Sequence, residues 1–459
     1  MEQADSTEFR RVLGPWSAGA LIAGSIIGTG IFIFVSGVAG RLPSRPAIIV
    51  AWTLGAMVAS CGALCLAELA AAYPQTGGIY VFLRRSYGPA VAFMYSWAKF
   101  LIMRPGSLGI MAVAFAGFCA AFIGVGSVAN PWVERAIAIG SVLVLTGINV
   151  VGVRTGAVVQ NVLTAVKILC LMAIIVVAGA FAVGVLSAHP VEVEPAEPPT
   201  GSFVVLFGAA LIAIMWTFGG WDESPFVAEE VRNPERNLPL SILGGLWIAA
   251  LLFVLVNAAY LAILSPAEMA GSGIRTAPLA MERAVGGGAN KALTLALMIS
   301  TFGAANGLAL TGGRIAYATG RDQPLFRWFA STSPRTKTPI RSLSFQAVLT
   351  IAAILVFGNP LKLLFYTGLA YWLFAGLSAG AVVILRGREP DRKRPFRVWG
   401  YPVLPALFIV ACGVMGVSVI VTDRPNAIVT VCILAVGAVA YFIQSRVWPA
   451  AGGGSGRER

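Results

Sequence analysis

Along this chain apolar residues do not recur with the period of two that marks a half-buried strand, nor with the 3.6 that marks one buried helix face. They run on, and short polar stretches divide them into twelve runs: 13–39, 46–72, 89–124, 132–151, 157–187, 202–231, 238–264, 291–319, 341–358, 361–386, 401–421 and 427–447. A bilayer core of about 30 Å takes about 20 residues of α-helix, so each run is read as one span, numbered 1 to 12. The expectation is an all-α polytopic membrane protein with twelve transmembrane helices. Spans 3, 5, 6 and 8 exceed one crossing and are expected to be tilted, broken or extended into loops. Span 1 ends in Val38-Ala39-Gly40, which looks like a small-residue cleavage site. Its apolar stretch is too long and too rich in glycine for a signal peptide, so it is read as a retained helix.

Composition agrees with the pattern. Of the residues 58% are apolar and 12% charged, about half the charge of a soluble domain, which excludes a water-soluble enzyme. The net charge of +13 is scattered between the runs and not gathered into one basic domain, so no nucleic-acid partner is expected. Its place is informative instead. Of 33 Lys and Arg, 22 lie at the termini and in the loops on their side, including Arg84/Arg85, Arg314–Arg341 and Arg386–Arg397; 8 lie in the opposite loops, and Lys99, Arg104 and Lys167 within spans. The positive-inside rule then puts both termini in the cytoplasm of a cell membrane. The loop with Glu192, Glu194 and Glu197 falls outside. All six cysteines sit in apolar runs and the only histidine, His189, in a loop, so neither a disulfide framework nor a metal or cofactor site is expected.

Two spans carry interruptions. Span 1 holds Gly24-Ser25-Ile26-Ile27-Gly28-Thr29-Gly30, and each glycine costs a helix interior about 1 kcal/mol relative to alanine. Gly24 and Gly28 are also four apart, the spacing of a small-xxx-small packing face; the motif alone admits both readings. It is no phosphate loop, since no lysine follows and no strand–helix unit surrounds it. Span 6 holds Gly219-Gly220-Trp221-Asp222-Glu223-Ser224-Pro225, which does not fit a continuous lipid-facing helix. The other reading ends the span near Gly219, after an apolar run at the short end of the spanning range. Spans 1 and 6 hold the same place in two successive five-helix sets, the arrangement of an inverted-repeat transporter with its substrate at mid-membrane. Unwound backbone there offers N–H groups to a carboxylate and carbonyls to an ammonium, which a zwitterionic amino acid presents together.

Ala23 to Phe32, Cys65-Leu66-Ala67-Glu68-Leu69 and Pro74-Gln75-Thr76-Gly77-Gly78-Ile79-Tyr80 resemble the amino acid/polyamine/organocation superfamily. Phe218-Gly219-Gly220-Trp221, Glu229 to Pro239, Arg104-Pro105, Phe302 to Gly307 and Arg394-Pro395-Phe396 are similar to its L-type amino acid transporter branch, in a bacterial form. The resemblance covers the chain to about residue 400. It implies two intertwined five-helix repeats, 13–187 and 202–386, two added helices in 401–447, and cytoplasmic ends at 1–12 and 448–459. It implies sodium-independent exchange of small or neutral L-amino acids, with spans 1, 2, 6 and 7 rocking against 3, 4, 8 and 9. By motif, Gly28, Thr29 and Gly30 receive the substrate carboxylate; carbonyls near Ser25 and Ile26 and at Trp216, Phe218 and Gly219 receive its ammonium. Trp216 falls at the aromatic gate, Trp372 near the side-chain pocket, and Lys167 where sodium-coupled relatives bind a cation.

Other readings of these residues stand beside these. Lys167 is about ten residues from the end of its span and could snorkel; Glu68 fits either a gate or a solvated helix end. Lys99 and Arg104, five apart in one helix, point in different directions and are read as structural. Asp222 stands where relatives commonly have Asn, which favours cationic substrates unless a basic residue pairs with it, and Ala304 replaces a small hydroxyl residue. The loop Gly124–Asn130 has no cysteine to tie a heavy-chain glycoprotein, so the expected partners are lipid and an amino acid alone. A proton-coupled symporter and an exchanger of cationic amino acids or polyamines remain as alternatives. A membrane-embedded transferase is more distant, because Asp222/Glu223 is the only intramembrane acid pair.

Overall fold

The computed structural model of the protein describes residues 26–74, 78–124, 131–151, 156–221, 231, 233–333, 336 and 338–447. Gly24, Ser25, the stretch 75–77, most of the loop before Asn130, the acids from Asp222 to Glu230 and the terminal tail lie outside the described residues.

Regular structure is helical, and ten of the described helices are long and apolar enough to cross a membrane. They account for spans 2–5 and 7–12. Of spans 1 and 6 the described residues show shorter helices: Gly30–Ile33 and Val35–Ala39 in the first, Phe203–Thr217 in the second. The physical reason for the run-on pattern is now visible. Spans 11 and 12 bury Phe408, Cys412, Met415 and Val419 but expose Val410, Val414, Val417, Ile428, Val436 and Val439. A helix that faces protein on one side and lipid on the other is apolar all round.

Local signals mark the helix ends. Ser44 caps Arg45–Ala72, accepting from the Ala47 N–H at 3.3 Å, and Pro46 fits the first turn, where a missing N–H costs nothing. Asn233, at φ 45°, turns the chain into Pro234–Ile263. Beyond that helix Ser265 and Glu268 form a capping box on Pro266–Gly271. The long spans resolve individually. Span 8 is one helix of 36 residues, Gly287–Asp322, about 54 Å at 1.5 Å per residue. Span 5 ends at Ala182 and continues as an extended strap, tied by His189 N–H to the Arg283 carbonyl (2.8 Å) and Ala196 N–H to the Ala267 carbonyl (3.0 Å).

Span 3 corrects the sequence reading of Lys99 and Arg104. Between Pro89–Ala98 and Arg104–Phe122 the helix widens into a π turn, Lys99–Met103, closed by the Arg104 N–H on the Lys99 carbonyl. A π turn bonds i to i+5, so a single turn separates the two cations, where an α-helix would have pointed them apart. Both are buried, and the Leu101 carbonyl in the widened turn accepts from the Tyr366 hydroxyl at 3.3 Å.

The chain forms two compact units. The first comprises residues 1–86, 164–296 and 372–418: spans 1, 2, 6, 7, most of span 5, the second part of span 10 and most of span 11. The second comprises 87–163, 297–371 and 419–459: spans 3, 4, 9, 12, most of span 8 and the first part of span 10. The second is built on Phe93, Phe100, Ala316 and Phe326, against which Trp97, Phe329, Phe345 and Tyr441 pack. Polar side chains pair inside it: Asn149 Nδ2 donates to Asn306 Oδ1 at 2.8 Å, and Gln444 Nε2 to Gln323 Oε1 at 2.7 Å.

Candidate functional site

The first unit brings the interruptions of spans 1 and 6 together. The Gly28 N–H turns back to the Ile26 carbonyl at 2.6 Å, and helical bonding resumes with the Phe32 and Ile33 N–H groups on the Thr29 carbonyl (3.0 and 3.2 Å). A helix start leaves its leading N–H groups without intrahelical acceptors; here that start is at Thr29 and Gly30. In span 6 the last α-helical residue is Thr217. Phe218 N–H still reaches the Ile214 carbonyl (3.0 Å), Gly219 N–H closes a tighter turn on the Trp216 carbonyl (2.9 Å), and Gly220 takes φ 109°. Phe203–Thr217 has 15 residues, about 22 Å of helix, short of a bilayer core of about 30 Å. The helix thus ends at Thr217, at the sequence interruption, and the residues from Asp222 to Glu230 lie outside the described ones.

The two ends touch. A Cβ on Gly30 would lie 2.9 Å from Thr217 Oγ1 and 3.1 Å from Thr217 Cα, so only glycine permits this approach, whereas a Cβ on Gly28 would meet nothing nearer than the Ile26 carbonyl at 3.8 Å. Gly30 is therefore a packing residue, and among the described residues nothing crowds Gly28. Four residues beyond Gly30, the Phe34 ring stands edge-on to Trp216, with centroids 5.0 Å apart and planes at 79°. Behind the break Trp52, Phe218 and Phe253 form an aromatic cluster with centroid distances of 5.2–6.0 Å. The Ile26 carbonyl accepts from the Gly28 N–H and the Trp216 carbonyl from the Gly219 N–H, so both carbonyls face the turns at these ends.

Of the other residues singled out by sequence, Thr29, Lys167 and Trp372 are buried. At 2% exposure Lys167 does not snorkel into water, and no hydrogen bond or ion pair to it is seen among the described residues. Ser25 and Asp222 lie outside the described residues.

Glu68 is not a solvated helix end. At 1% exposure it is enclosed: Arg386 Nε donates to Oε1 at 2.8 Å, Arg386 Nη2 and the Val398 N–H (2.7 Å) donate to Oε2, and Arg394 Nε lies 3.6 Å from Oε1. The loop that supplies these partners also ties down helix ends. Arg392 donates to the Ala72 carbonyl at the end of span 2 and lies 4.0 Å over the Tyr73 ring, and Arg394 donates to the Leu385 and Glu389 carbonyls at the end of span 10. Cations there satisfy the bare C-terminal carbonyls. Sequence reasoning saw this basic run only as an orientation signal, because its acidic partner lies more than 300 residues away.

Comparison with known proteins adds the chemistry. The family model described as "Amino acid permease" matches residues 13–445. The b(0,+)-type amino acid transporter 1 of Mus musculus is 30% identical over 443 residues, 95% of this chain and 88% of that protein. The serine/threonine exchanger SteT of Bacillus subtilis is 28% identical over 94% of this chain and 96% of its own length. The large neutral amino acids transporter small subunit 2 of Oryctolagus cuniculus is 28% identical, covering 91% and 79%.

Proposed function

Since this chain belongs to the amino acid permease family of the amino acid/polyamine/organocation superfamily, we propose that it is a sodium-independent exchanger of small or neutral L-amino acids in the cytoplasmic membrane, with both termini inside. The observation that carries this reading is the meeting of the two interruptions: the start of one half-helix and the end of another, in contact through Gly30 and Thr217. The N–H groups of Gly28, Thr29 and Gly30 receive the carboxylate, and the carbonyls at Ser25, Ile26, Trp216, Phe218 and Gly219 receive the ammonium. Trp216 closes over the bound solute. Lys167 stands in for a coupling cation, and Trp372 borders the side-chain pocket. Two relatives support the chemistry by name, one an exchanger of serine and threonine and one a transporter of large neutral amino acids. Alternating access is supported by the grouping of spans 1, 2, 6 and 7 in one compact unit and of 3, 4, 9 and most of 8 in the other.

Proteoliposomes test the proposal. Uptake of labelled amino acid should be slow into empty vesicles and should accelerate when the vesicles are preloaded with amino acid. Uptake that ignores preloading and follows an imposed proton gradient would overturn exchange in favour of proton symport. Competition by the twenty amino acids fixes the side-chain class.

A second reading rests on the sequence alone: Asp222 stands where relatives commonly have Asn, and a carboxylate at that position would favour cationic substrates. If it does so, Asp222→Asn loses competition by lysine and arginine and keeps competition by neutral amino acids. The loop from Gly124 to Asn130 has no cysteine, and we infer a carrier that works without a disulfide-linked heavy chain.

A further inference from the structure

Resting on that transport reading, we propose that Phe34 is the positioning residue for Trp216: a buried ring on span 1 that holds the partly exposed indole of span 6 over the gap between the two interruptions.

Three observations support the pairing. Trp216 is partly exposed, while its neighbours Met215, Thr217 and Phe218 are at 2%, 3% and 0%. Among the described residues its one aromatic neighbour is Phe34, itself at 0% exposure. The edge-to-face arrangement aims the electropositive rim of one ring at the electron-rich face of the other, a directional contact that a branched aliphatic side chain of similar volume does not reproduce.

Phe34 is also anchored at both ends. It interrupts the helical run between Gly30–Ile33 and Val35–Ala39, yet its N–H donates to the Gly30 carbonyl (2.9 Å) and its carbonyl accepts from Val38 N–H (3.0 Å). The hydrogen-bond ladder therefore continues through it. Residues i and i+4 of a helix share a face. On that face Gly30 sets how near the span 1 backbone comes to Thr217, and Phe34 sets where the adjacent Trp216 side chain rests. One face of span 1 thus grips two consecutive residues at the end of the span 6 helix, one by backbone and one by ring.

Without the ring, Trp216 gains rotamers that leave the gap uncovered, so bound substrate escapes sooner. The expected result is a KM raised about 2- to 10-fold in Phe34→Leu, the worth of one aromatic edge contact, with KM restored in Phe34→Tyr. A double-mutant cycle separates positioning from general loosening. In a Trp216→Leu background, Phe34→Leu should raise KM no further; effects that multiply, or a Phe34→Leu variant whose melting temperature falls while KM is unchanged, would overturn the inference. Quenching of tryptophan fluorescence by acrylamide, taken as the difference between matched proteins with and without Trp216 (Trp216→Phe), gives a readout independent of transport. The Trp216 signal should become more quenchable in Phe34→Leu, and an unchanged signal sinks the proposal. If the wild-type protein moves none of the twenty amino acids, the exchanger reading fails, and the quenching difference still decides the role of Phe34.

Discussion

A hydrogen atom in place of a methyl group at residue 30 decides how closely span 1 approaches span 6. Because a Cβ there would press on Thr217 within 2.9–3.1 Å, including its backbone Cα, relief requires a helix to shift. Gly30→Ala should lower stability by about 1–3 kcal/mol, the usual cost of overpacking, seen as a lower melting temperature in detergent, and should depress uptake. Gly28→Ala should leave melting unchanged and still weaken uptake, because its Cβ would enter the space assigned to the carboxylate. The comparison separates two glycines that look alike in sequence. Glu68 gives a second test at this scale. Removing one partner of a buried ion pair costs more than the pair contributes, because the other charge is stranded. Glu68→Ala leaves Arg394 nearly enclosed but Arg386 at 20% side-chain exposure, so a loss of about 3 kcal/mol, the lower end for buried pairs, is expected in thermal melting.

At the scale of elements, short polar signals decide where helices stop and how loops are tied. The segment between spans 7 and 8 folds as two helices, Pro266–Gly271 and Thr276–Val285, joined by a bidentate pair: Arg283 donates to Glu268 at 2.6 and 3.0 Å and also to the Ile263 carbonyl. The Arg283 guanidinium, with help from the Ser265 N–H and hydroxyl, holds the Glu268 carboxyl down to about 2. A carboxylate whose pKa is depressed on folding adds stability that is present above its ordinary value, near 4.5, and is lost as pH falls through about 2. Melting followed from pH 5 to 2 should therefore fall in the wild type by an amount that Glu268→Gln no longer shows. With the two side chains 18% and 19% exposed, the difference is about 1 kcal/mol, the upper end for ion pairs in contact with water. The capping box of Ser265 and Glu268 is readable three residues apart in sequence; the partner Arg283, fifteen residues on, is not. The π turn in span 3 was equally hidden, since nothing in Lys99-Phe100-Leu101-Ile102-Met103 distinguishes i+5 from i+4 bonding before the neighbouring helices are in place.

For the whole molecule, coupling is the property to test. With Lys167 buried at 2% exposure and read in the place of a coupling cation, replacing sodium by choline should leave the uptake rate unchanged. A rate that collapses without sodium would remove Lys167 from that role. The apolar runs by themselves determined the helical class and the bilayer as solvent, because a lipid core forbids unpaired backbone over any long stretch and leaves a one-dimensional record of every crossing; they only marked two places where a helix was open to interruption. Motif spacing added the family. Tertiary structure alone decided which glycine packs and which is left uncrowded, that Phe34 stands against Trp216, and that Glu68 is enclosed by arginines more than 300 residues away. These are contacts between segments remote in sequence, set by the packing of irregular side chains, and no periodicity along the chain encodes them.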